Sequence, residues 1–351
     1  MKIAIDVSPL QTGHKVRGIG FYVHHLQKAL VTYFSENEYL FFTKQHEITE
    51  DVDVVHYPYF DLFAQTLPLI KRHKTVVTVH DLTPLIYPEH FPAGFKGKVK
   101  WEVQKRNLQR MDMVIANSMT SKKDISKIAG IHESKIAVTY LAAGEEFKVI
   151  ENAEVKATDL RKKYNLPNKF ALYVGDVTWN KNLPNLIRAV NKINIPLVMV
   201  GKSLIEKDYD RTNVWSRDRI EVEKLTEGNK NITKLGFISS EELVVLYNAA
   251  TVFVMPSHYE GFGLPIIEAM QSGCPVVTTH GGSLSEVAGK AAILVDASDI
   301  VNIADGIQRL FDNESLQKEL RKKGLEQAKK FSWKHTAGQT VDVYRQVLKQ
   351  I

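Results

Sequence analysis

Short apolar segments alternate with amphipathic segments along almost the whole chain. Most of the apolar segments are rich in Val and Ile, which is typical of strands that are covered on both faces. Between them, apolar residues recur at helical spacing, for example in 21–33, 183–193 and 240–248. The predicted strands are 2–7, 39–43, 53–57, 75–79, 113–116, 136–140, 170–174, 196–200, 232–235, 251–255, 275–278 and 291–295. This alternation predicts parallel sheets that are joined by right-handed crossovers.

One polar segment, 144–158, interrupts the pattern with four glutamates before the alternation restarts at Phe170. We therefore predict two Rossmann-like, doubly wound α/β domains, 1–150 and 151–333. A final helix, 334–351, follows after the strands of the second domain have ended. A length of 351 residues suits two domains of ordinary size.

Composition is that of a globular protein, with 44% hydrophobic and 25% charged residues. The single cysteine, Cys274, excludes an internal disulfide framework and a cysteine metal cluster. No apolar run approaches the length of a membrane span, and residues 1–6 enter a strand pattern without a signal peptide. These features predict a cytoplasmic protein. The net charge of +6 suggests an anionic partner.

Polar and glycine-rich residues follow several predicted strands at their carboxyl ends. In open parallel sheets, ligands bind in the crevice outside these ends. His80 and Asp81 follow one strand, Lys181 lies shortly after another, and Lys202 follows a third. Such residues occur in both halves of the chain, which points to a shared cleft.

The segment 260–273 is the most informative of these strand ends. Gly261 and Gly263 allow backbone N–H groups to approach a ligand closely. Pro265 fits the start of a helix and Gly273 its end, so the helix would present its positive N-terminus to an anion such as a diphosphate. The carboxylates of Glu260 and Glu268 suit sugar hydroxyls. The alternative for Glu268 is a charge that is simply favourable near a helix N-terminus.

These residues lie in a segment that resembles a known family, the retaining group 1 glycosyltransferases of family GT4. The resemblance is carried by GFISSEEL, MPSHYEGFGLPIIEAM and GGSLSEVAG within 235–289, and more weakly by RGIGFY, HDL and FSW elsewhere. It implies the GT-B architecture, in which two Rossmann-like domains face each other across a cleft. It also implies that the final helix crosses back to the first domain, which binds the acceptor, while the second domain binds the donor.

The resemblance implies a role for each candidate in the donor domain. Glu268 would hold the ribose hydroxyls, and Glu260 would hold the donor sugar. Backbone amides of the loop would meet the sugar and the diphosphate. The residues predicted to bind the donor here are Glu268, Gly261, Phe262, Gly263 and Leu264.

Glu260, Lys181 and His80 are the predicted catalytic residues. Lys181 matches the basic residue that the family uses for the diphosphate, where it would stabilise the departing charge; the alternative is a solvated lysine, which the helix dipole disfavours. His80 resembles the family's histidine near the reacting face of the donor sugar; the alternative is a core residue at a strand end. Accessible carboxylates such as Glu260 and Glu268 are expected to contribute little to stability.

Further donor contacts are predicted at Gly18, Gly20, Asp81 and Lys202. Gly18 and Gly20 resemble the family's glycine-rich loop after the first strand, although turns also need glycine for ordinary reasons. They do not match the dinucleotide fingerprint, which argues against a dehydrogenase. Asn117 and Ser118 are open between a site role and a helix cap.

One position departs from the family pattern. Many relatives carry an arginine just after the glycine that ends the strand, where this chain has Asp176. The second phosphate contact is therefore open, with Lys202 and Arg17 as the candidates.

No metal ligands are predicted, and the expected chemistry is metal-independent. The aspartate pairs 51/53 and 208/210 have the spacing of a metal-binding Asp-x-Asp motif, but neither pair follows the carboxyl end of a predicted strand. We interpret both as surface charges.

A basic stretch, 96–110, carries six lysines and arginines against the single Glu102. Phe95, Val99 and Val103 recur at helical spacing beside it. One interpretation is a solvated helix whose apolar stripe lies in the core. The other is an interfacial helix that binds anionic lipid at the inner face of a membrane.

The predicted function is transfer of a hexose, with retention of anomeric configuration, from a nucleotide sugar. Overall resemblance favours mannose from GDP-mannose, with no other cofactor. The expected acceptor is a cell-surface glycan or a lipid-linked intermediate, and no nucleic-acid partner is expected. The alternative is a non-catalytic protein of the same fold that binds a nucleotide sugar or docks on a membrane.

Overall fold

The structure, a computed structural model, describes residues 1–13 and 18–349. Arg17, one candidate for the second phosphate contact, lies outside the described residues. Contacts divide the chain into two compact units. The first comprises Met1–Ala142 and Phe331–Ile351, and the second comprises Ala143–Lys330.

The first unit contains a six-stranded sheet in the order β2-β1-β3-β4-β5-β6. Every neighbouring pair is parallel, with Ala4 opposite both Leu40 and Val55. The strands are β1 Lys2–Asp6, β2 Glu38–Phe42, β3 Val54–Tyr57, β4 Lys74–Val79, β5 Met113–Ala116 and β6 Ile136–Val138.

Within the described residues, five helices belong to the first unit, and the last of them comes from the C-terminal part of the chain. They are α1 Gly18–Tyr33, α2 Thr83–Ile86, α3 Gly94–Gln109, α4 Met119–Ala129 and α13 Trp333–Lys349. Helix α4 is capped at both ends. Ser118 is the N-cap and accepts a hydrogen bond from the Ser121 N–H, and Gly130 ends the helix in a left-handed conformation with φ of 68°. Ser118 thus has the helix-capping role.

The second unit repeats the arrangement with a parallel six-stranded sheet in the order β12-β11-β10-β7-β8-β9. Its central strands are entirely buried and rich in Val, as strands covered on both faces should be. The strands are β7 Ala171–Val174, β8 Leu197–Val200, β9 Ile232–Leu235, β10 Val252–Met255, β11 Val276–Thr279 and β12 Ala292–Val295.

Helices follow the strands of the second sheet. They are α5 Ala153–Tyr164, α6 Leu183–Lys192, α7 Arg217–Thr226, α8 Ser240–Ala249, α9 Leu264–Gln271, α10 Leu284–Ala288, α11 Ile300–Asp312 and α12 Glu314–Ala328. Short 3₁₀ turns connect further segments of both units, at Ser8–Gln11, Gln45–Glu47, Glu133–Lys135, Trp179–Lys181, Lys202–Leu204 and Val214–Ser216.

The predicted fold class, two Rossmann-like α/β units, is confirmed. Residues 143–150, which the sequence analysis assigned to the first domain, pack with the second unit instead. The Phe147 ring packs edge-on against Tyr247, with 5.8 Å between centroids. The Ile150 N–H donates to Asn248 Oδ1 at 3.1 Å. None of the described helices is long and apolar enough to span a bilayer.

The apolar stripe of the basic helix α3 is not buried. The interpretation of α3 as a solvated helix whose apolar stripe lies in the core was therefore wrong. Phe95, Val99 and Val103 are 83%, 50% and 43% exposed. The buried positions of α3 are Gly97, Gln104, Asn107 and Leu108. The polar side chain of Gln104 is accommodated there because it donates hydrogen bonds to the backbone carbonyl oxygens of Asp61 and Ala64. A polar residue thus faces inward and the apolar stripe faces outward.

Helix α13 is fixed to the first sheet by a buried polar network. The Tyr344 hydroxyl lies 2.7 Å from Nδ1 of His56, and the other ring nitrogen of His56 lies 2.9 Å from Thr78 Oγ1. The Tyr22 hydroxyl on α1 lies 3.1 Å from the same Thr78 oxygen. Burial lowers the pKa of His56 from 6.5 to about 3, so the ring is neutral at physiological pH.

We expect Tyr344→Phe to lower the free energy of unfolding by about 1–3 kcal/mol, because it leaves a buried imidazole nitrogen without a partner. Stability should also decline as the pH falls from 6.5 towards 3, since the unfolded chain then binds a proton that the buried His56 does not. Urea denaturation at several pH values measures both effects. Tyr33→Phe, at a tyrosine that is 42% exposed, is the matched control. Equal stability of the two variants would contradict a structural role for the network.

Candidate active site

The order of strands in the second sheet reverses between β7 and β10. From β7 the chain continues outward through β8 and β9, and from β10 it continues the other way through β11 and β12. The crevice outside the carboxyl ends of such a pair is where open α/β sheets bind ligands. Lys181 follows β7, and the 260–264 loop follows β10, so two predicted site elements lie at this point.

Lys181 and Glu260 form an ion pair across this crevice. Lys181 Nζ lies 2.8 Å from Oε1 of Glu260 and 2.9 Å from Oε2. Glu260 is only 9% exposed, so it is not the freely accessible carboxylate that the sequence analysis expected. Two residues predicted separately, one for the diphosphate and one for the sugar, are therefore each other's partners in the structure.

The turn that carries Lys181 is held on the loop after β10 by further contacts. The buried Asn182 side chain donates to the carbonyl oxygens of Pro256 and Ala297, at 2.9 and 2.7 Å. The His258 N–H donates to the Asn180 carbonyl oxygen at 2.7 Å. The rings of Trp179 and His258 stack with 4.8 Å between centroids. This stack could not be predicted from the sequence, because Trp179 and His258 lie far apart along the chain.

The 261–264 loop turns directly into α9. Gly263 has φ of 98°, a left-handed conformation that side chains rarely tolerate. No side chain caps the helix, and Pro265 occupies its first turn. Pro265 has no N–H, and the Ile266 N–H donates to the Gly263 carbonyl oxygen at 2.9 Å. The partial positive charge of the α9 N-terminus is therefore the feature that would attract an anionic ligand.

The loop between β11 and α10 supports this segment from its inner side. A side-chain carbon on Gly282 would lie 2.2 Å from the Glu260 carbonyl oxygen, so only glycine fits there. The buried Ser283 hydroxyl donates to the carbonyl oxygens of Glu260 and Phe262, at 3.1 and 2.9 Å. The GGSLSEVAG segment thus packs against and hydrogen-bonds the backbone of Glu260 and Phe262, a role that was not predicted from the sequence.

Glu268, in the second turn of α9, accepts a hydrogen bond from the Tyr247 hydroxyl at 2.9 Å. Burial raises the pKa of Glu268 to about 7, and the charge of Glu146 adds to this, whereas the bond from Tyr247 opposes it. A carboxylate that titrates near neutrality is not simply a surface charge near a helix N-terminus. Tyr247 was not among the predicted residues; nothing in its helical context marks it.

In the first unit, His80 lies at the carboxyl end of β4. Its Nε2 lies 3.1 Å from the Pro58 carbonyl oxygen, and its ring packs edge-on against Tyr22, with 4.8 Å between centroids. Burial lowers the pKa of His80. Asp81 is exposed and accepts a hydrogen bond from the Thr83 N–H at 2.9 Å, so the structure gives it a local role in starting α2.

Gly18 and Gly20 do not lie in a loop, as the resemblance had implied, but in the first turn of α1. The helical segment begins earlier than its apolar periodicity indicates. Lys202 is exposed and begins a 3₁₀ turn after β8. Asp176, which replaces the family's arginine, accepts a hydrogen bond from the Ser203 hydroxyl in that same turn at 3.1 Å.

Within residues 1–13 and 18–349, no three His, Cys, Asp or Glu side chains come together as metal ligands would. Asp51 pairs with Lys2 at 2.7 Å, and Asp210 accepts hydrogen bonds from Thr212. One aspartate of each pair thus has a partner within the protein, which agrees with the interpretation of both pairs as surface charges.

Two Rossmann-like units with this loop after β10 are the arrangement that the resemblance to glycosyltransferases implies. Residues 156–329 match the family described as glycosyl transferases group 1. Residues 13–142 match glycosyltransferase family 4. The chain belongs to this group, which confirms the resemblance found in its sequence.

Known relatives give the comparison more detail. O-antigen chain mannosyltransferase B of Escherichia coli is 31% identical over 284 residues, covering 78% of this chain and 71% of that protein. The serotype-specific mannosyltransferase WbdA of Escherichia coli is 27% identical over 282 residues, covering 78% of this chain but only 34% of WbdA. The structure of HepE from Anabaena in complex with UDP and glucose has a TM-score of 0.73 at 18% identity, covering 99% of this chain and 100% of HepE. That likeness confirms the GT-B fold.

The raised pKa of Glu268 predicts a pH-dependent effect on stability. Between pH 4.5 and about 7, the folded protein holds a proton on Glu268 that the unfolded chain releases, so this group lowers stability as the pH rises. We therefore expect Glu268→Gln to gain stability relative to the unmodified protein across that window. Tyr247→Phe should raise the Glu268 pKa further, because the hydrogen bond to the carboxylate is lost. Carbon-13 NMR titration of glutamate carboxyls measures the pKa; a value near 4.5 in both proteins would contradict the assignment.

Proposed function

We propose that this protein is a retaining glycosyltransferase that transfers mannose from GDP-mannose. One observation carries the proposal: the uncapped N-terminus of α9 is flanked by the Lys181–Glu260 ion pair and by the Glu268 carboxylate. An anion site beside two hydroxyl-accepting carboxylates suits a diphosphate between two sugars. The mannosyltransferase relatives support mannose as the transferred sugar, and HepE supports a nucleotide-sugar donor.

In this proposal the donor spans the carboxyl end of the second sheet. Glu268 accepts hydrogen bonds from the ribose hydroxyls, and its deprotonated form does so best. Backbone N–H groups of Gly261, Phe262, Gly263 and Leu264 bind the sugar and the diphosphate. Lys202, exposed at the end of β8, supplies the second phosphate contact.

The leaving group is a nucleoside diphosphate whose charge grows as the glycosidic bond breaks. Lys181 turns from Glu260 towards the diphosphate, and the α9 terminus adds its partial positive charge. Glu260 then accepts a hydrogen bond from the donor sugar. We assign no nucleophile among the candidate residues. The acceptor oxygen forms its bond to the anomeric carbon on the face from which the diphosphate leaves, its proton passes to the departing phosphate oxygen, and the configuration is retained. His80 remains the candidate catalytic residue of the first unit: burial favours its neutral form and its Nε2–H donates to the Pro58 carbonyl oxygen, so Nδ1 can accept a hydrogen bond from a substrate hydroxyl.

We expect Glu268→Gln to weaken binding of both GDP and GDP-mannose by about 1.5–3 kcal/mol, the range for hydrogen bonds to charged groups. Glu260→Gln should spare GDP and weaken only GDP-mannose, because Glu260 is assigned to the sugar. Calorimetric titration of each variant with each ligand measures the difference.

The matched control is Glu227→Gln, the same change at an exposed glutamate of the second unit. Equal losses for both ligands in Glu260→Gln, or none in Glu268→Gln, would show that the two roles are wrongly assigned. Unchanged turnover in both variants would remove the loop from the active site.

We also propose that the reaction needs no divalent cation, because Lys181 and the α9 terminus neutralise the leaving charge. Turnover of GDP-mannose should survive dialysis against a chelator. Complete loss of turnover, restored by magnesium or manganese, would refute this mechanism.

The acceptor that we propose is a cell-surface glycan or a lipid-linked intermediate, supported by the O-antigen relative. A second candidate is a non-catalytic protein that only binds the nucleotide sugar. Release of free nucleoside diphosphate in the presence of acceptor distinguishes the two. Retention of Glu260, Lys181 and Glu268 together favours the enzyme.

Helix α3 favours a further element of function, peripheral docking on anionic lipid at the cytoplasmic face of a membrane. Its exposed Phe95, Val99 and Val103 stand among Lys96, Lys98 and Lys100. Near its end, Arg110 donates to the backbone of Leu69, which is itself 54% exposed. Apolar side chains amid basic ones suit insertion between acidic head groups.

Changing Lys96, Lys98 and Lys100 to Glu should abolish cosedimentation with phosphatidylglycerol vesicles at low salt, because each lysine near the surface contributes on the order of 1 kcal/mol. Raising the salt should weaken binding of the unmodified protein. The matched control changes Lys156, Lys162 and Lys169, three exposed lysines of the second unit, to Glu. Equal loss in both triple variants would indicate net charge rather than a docking helix.

A further inference from the structure

The first sheet has its own reversal of strand order, between β1 and β3. Strand β2 lies on one side of β1, and β3 to β6 lie on the other. A cavity of about 210 Å³ opens at the carboxyl ends of these strands, where an open α/β sheet binds its ligand. We call it the Asp6 pocket; its lining includes Asp6, Ser8, Thr43, Tyr57, Tyr59 and Gln65.

Asp6 and Tyr57 give the pocket an acceptor and a donor of hydrogen bonds. Asp6 ends β1, and its Oδ1 accepts a hydrogen bond from the Ser8 N–H at 2.8 Å. The Ser8 side chain also bonds this carboxylate, whose two oxygens together have further acceptor capacity for a ligand hydroxyl. The nearby charge of Asp6 and, more strongly, burial raise the pKa of Tyr57 to about 12, so its hydroxyl keeps its proton. No residue in the described part of the chain takes that hydroxyl as a hydrogen-bond partner.

The far wall of the pocket is held in place from outside. The Tyr59 hydroxyl donates to Oδ2 of Asp61 at 2.7 Å, and the other oxygen of Asp61 accepts from the N–H groups of Phe63 and Ala64. The Thr66 hydroxyl oxygen accepts from the Asp61 N–H at 3.1 Å. These bonds fix an aromatic face beside Asp6 without using the Asp6 carboxylate.

The lining has a definite chemical preference. Among residues 1–13 and 18–349, those that line the cavity include the carboxylate of Asp6 and no lysine, arginine or histidine. A phosphate would be repelled there, whereas a carboxylate, a phenol, amides and an aromatic face together suit neutral hydroxyl groups. The volume is below the roughly 300–1,000 Å³ of pockets for drug-sized ligands, which limits the occupant to about one sugar ring.

We propose that the Asp6 pocket binds one neutral monosaccharide unit of the acceptor. This inference rests on the proposed function, which supplies the need for a second sugar substrate. The donor elements Lys181, 260–264 and Glu268 all belong to the second unit, and the Asp6 pocket offers no anion site for a diphosphate. The acceptor is thereby specified as a neutral glycan end, and its phosphate groups, where present, bind elsewhere.

The test uses the full chain and three neutral probes, the methyl glycosides of α-mannose, α-galactose and β-glucose, with mannose 6-phosphate as the charged probe. Saturation-transfer NMR and calorimetry measure their binding, and calorimetry with GDP measures the donor site separately. Asp6→Asn should raise the dissociation constant of the bound neutral glycoside about 10-fold or more, the loss expected for a bond to a charged group. GDP affinity should not change.

Tyr57→Phe is the second variant, with a smaller expected loss, and Asp305→Asn, at an exposed aspartate of α11, is the matched control. The proposal is overturned if no neutral glycoside binds, if Asp6→Asn and Tyr57→Phe both bind it as the unmodified protein does, or if mannose 6-phosphate binds more tightly. Failure of GDP to bind would instead refute the proposed function, whatever the glycosides do.

Discussion

The ion pair between Lys181 and Glu260 is the interaction on which the arrangement of the site depends. It joins the turn after β7 to the loop after β10, the two strand ends at which the second sheet reverses its order. Losing one partner of a fully buried pair costs about 3–5 kcal/mol, because a charge is left desolvated. Because the Lys181 side chain is 22% exposed and that of Glu260 is 11% exposed, we expect a smaller cost, but still one that holds both loops in register.

The remaining contacts make the same loop rigid before any ligand binds. Gly282 and Ser283 press against the backbone of Glu260 from the inner side, and Asn182 ties the Lys181 turn to Pro256. A site that is already ordered loses less conformational entropy when a ligand binds. In the function that we propose, the diphosphate of the donor would compete with Glu260 for Lys181, so donor binding would be coupled to rearrangement of the ion pair.

The fold could be predicted from the sequence more fully than the contacts within the candidate site. The sequence predicted all twelve strands of the described residues. Most follow from apolar runs, because burial on both faces leaves a continuous local signal, whereas the edge strands β2 and β9 are only partly buried. Lys181, Glu260 and Glu268 follow from their positions after strands and beside a helix start. Their partners do not, because the Lys181–Glu260 pair and the Tyr247–Glu268 bond join distant segments. The outward stripe of α3 was not predictable from periodicity, which shows that a helix has an apolar face but not what covers it.

The most direct test of this account is a double-mutant cycle on the ion pair, read out as the free energy of unfolding. The variants are Lys181→Met, Glu260→Gln and the combination of the two. We predict a coupling energy of at least about 1 kcal/mol, with the double variant more stable than Lys181→Met alone, because the neutral glutamine no longer needs a cation. Effects that add within about 0.5 kcal/mol would contradict the account, since Lys181 and Glu260 would then fold independently of each other.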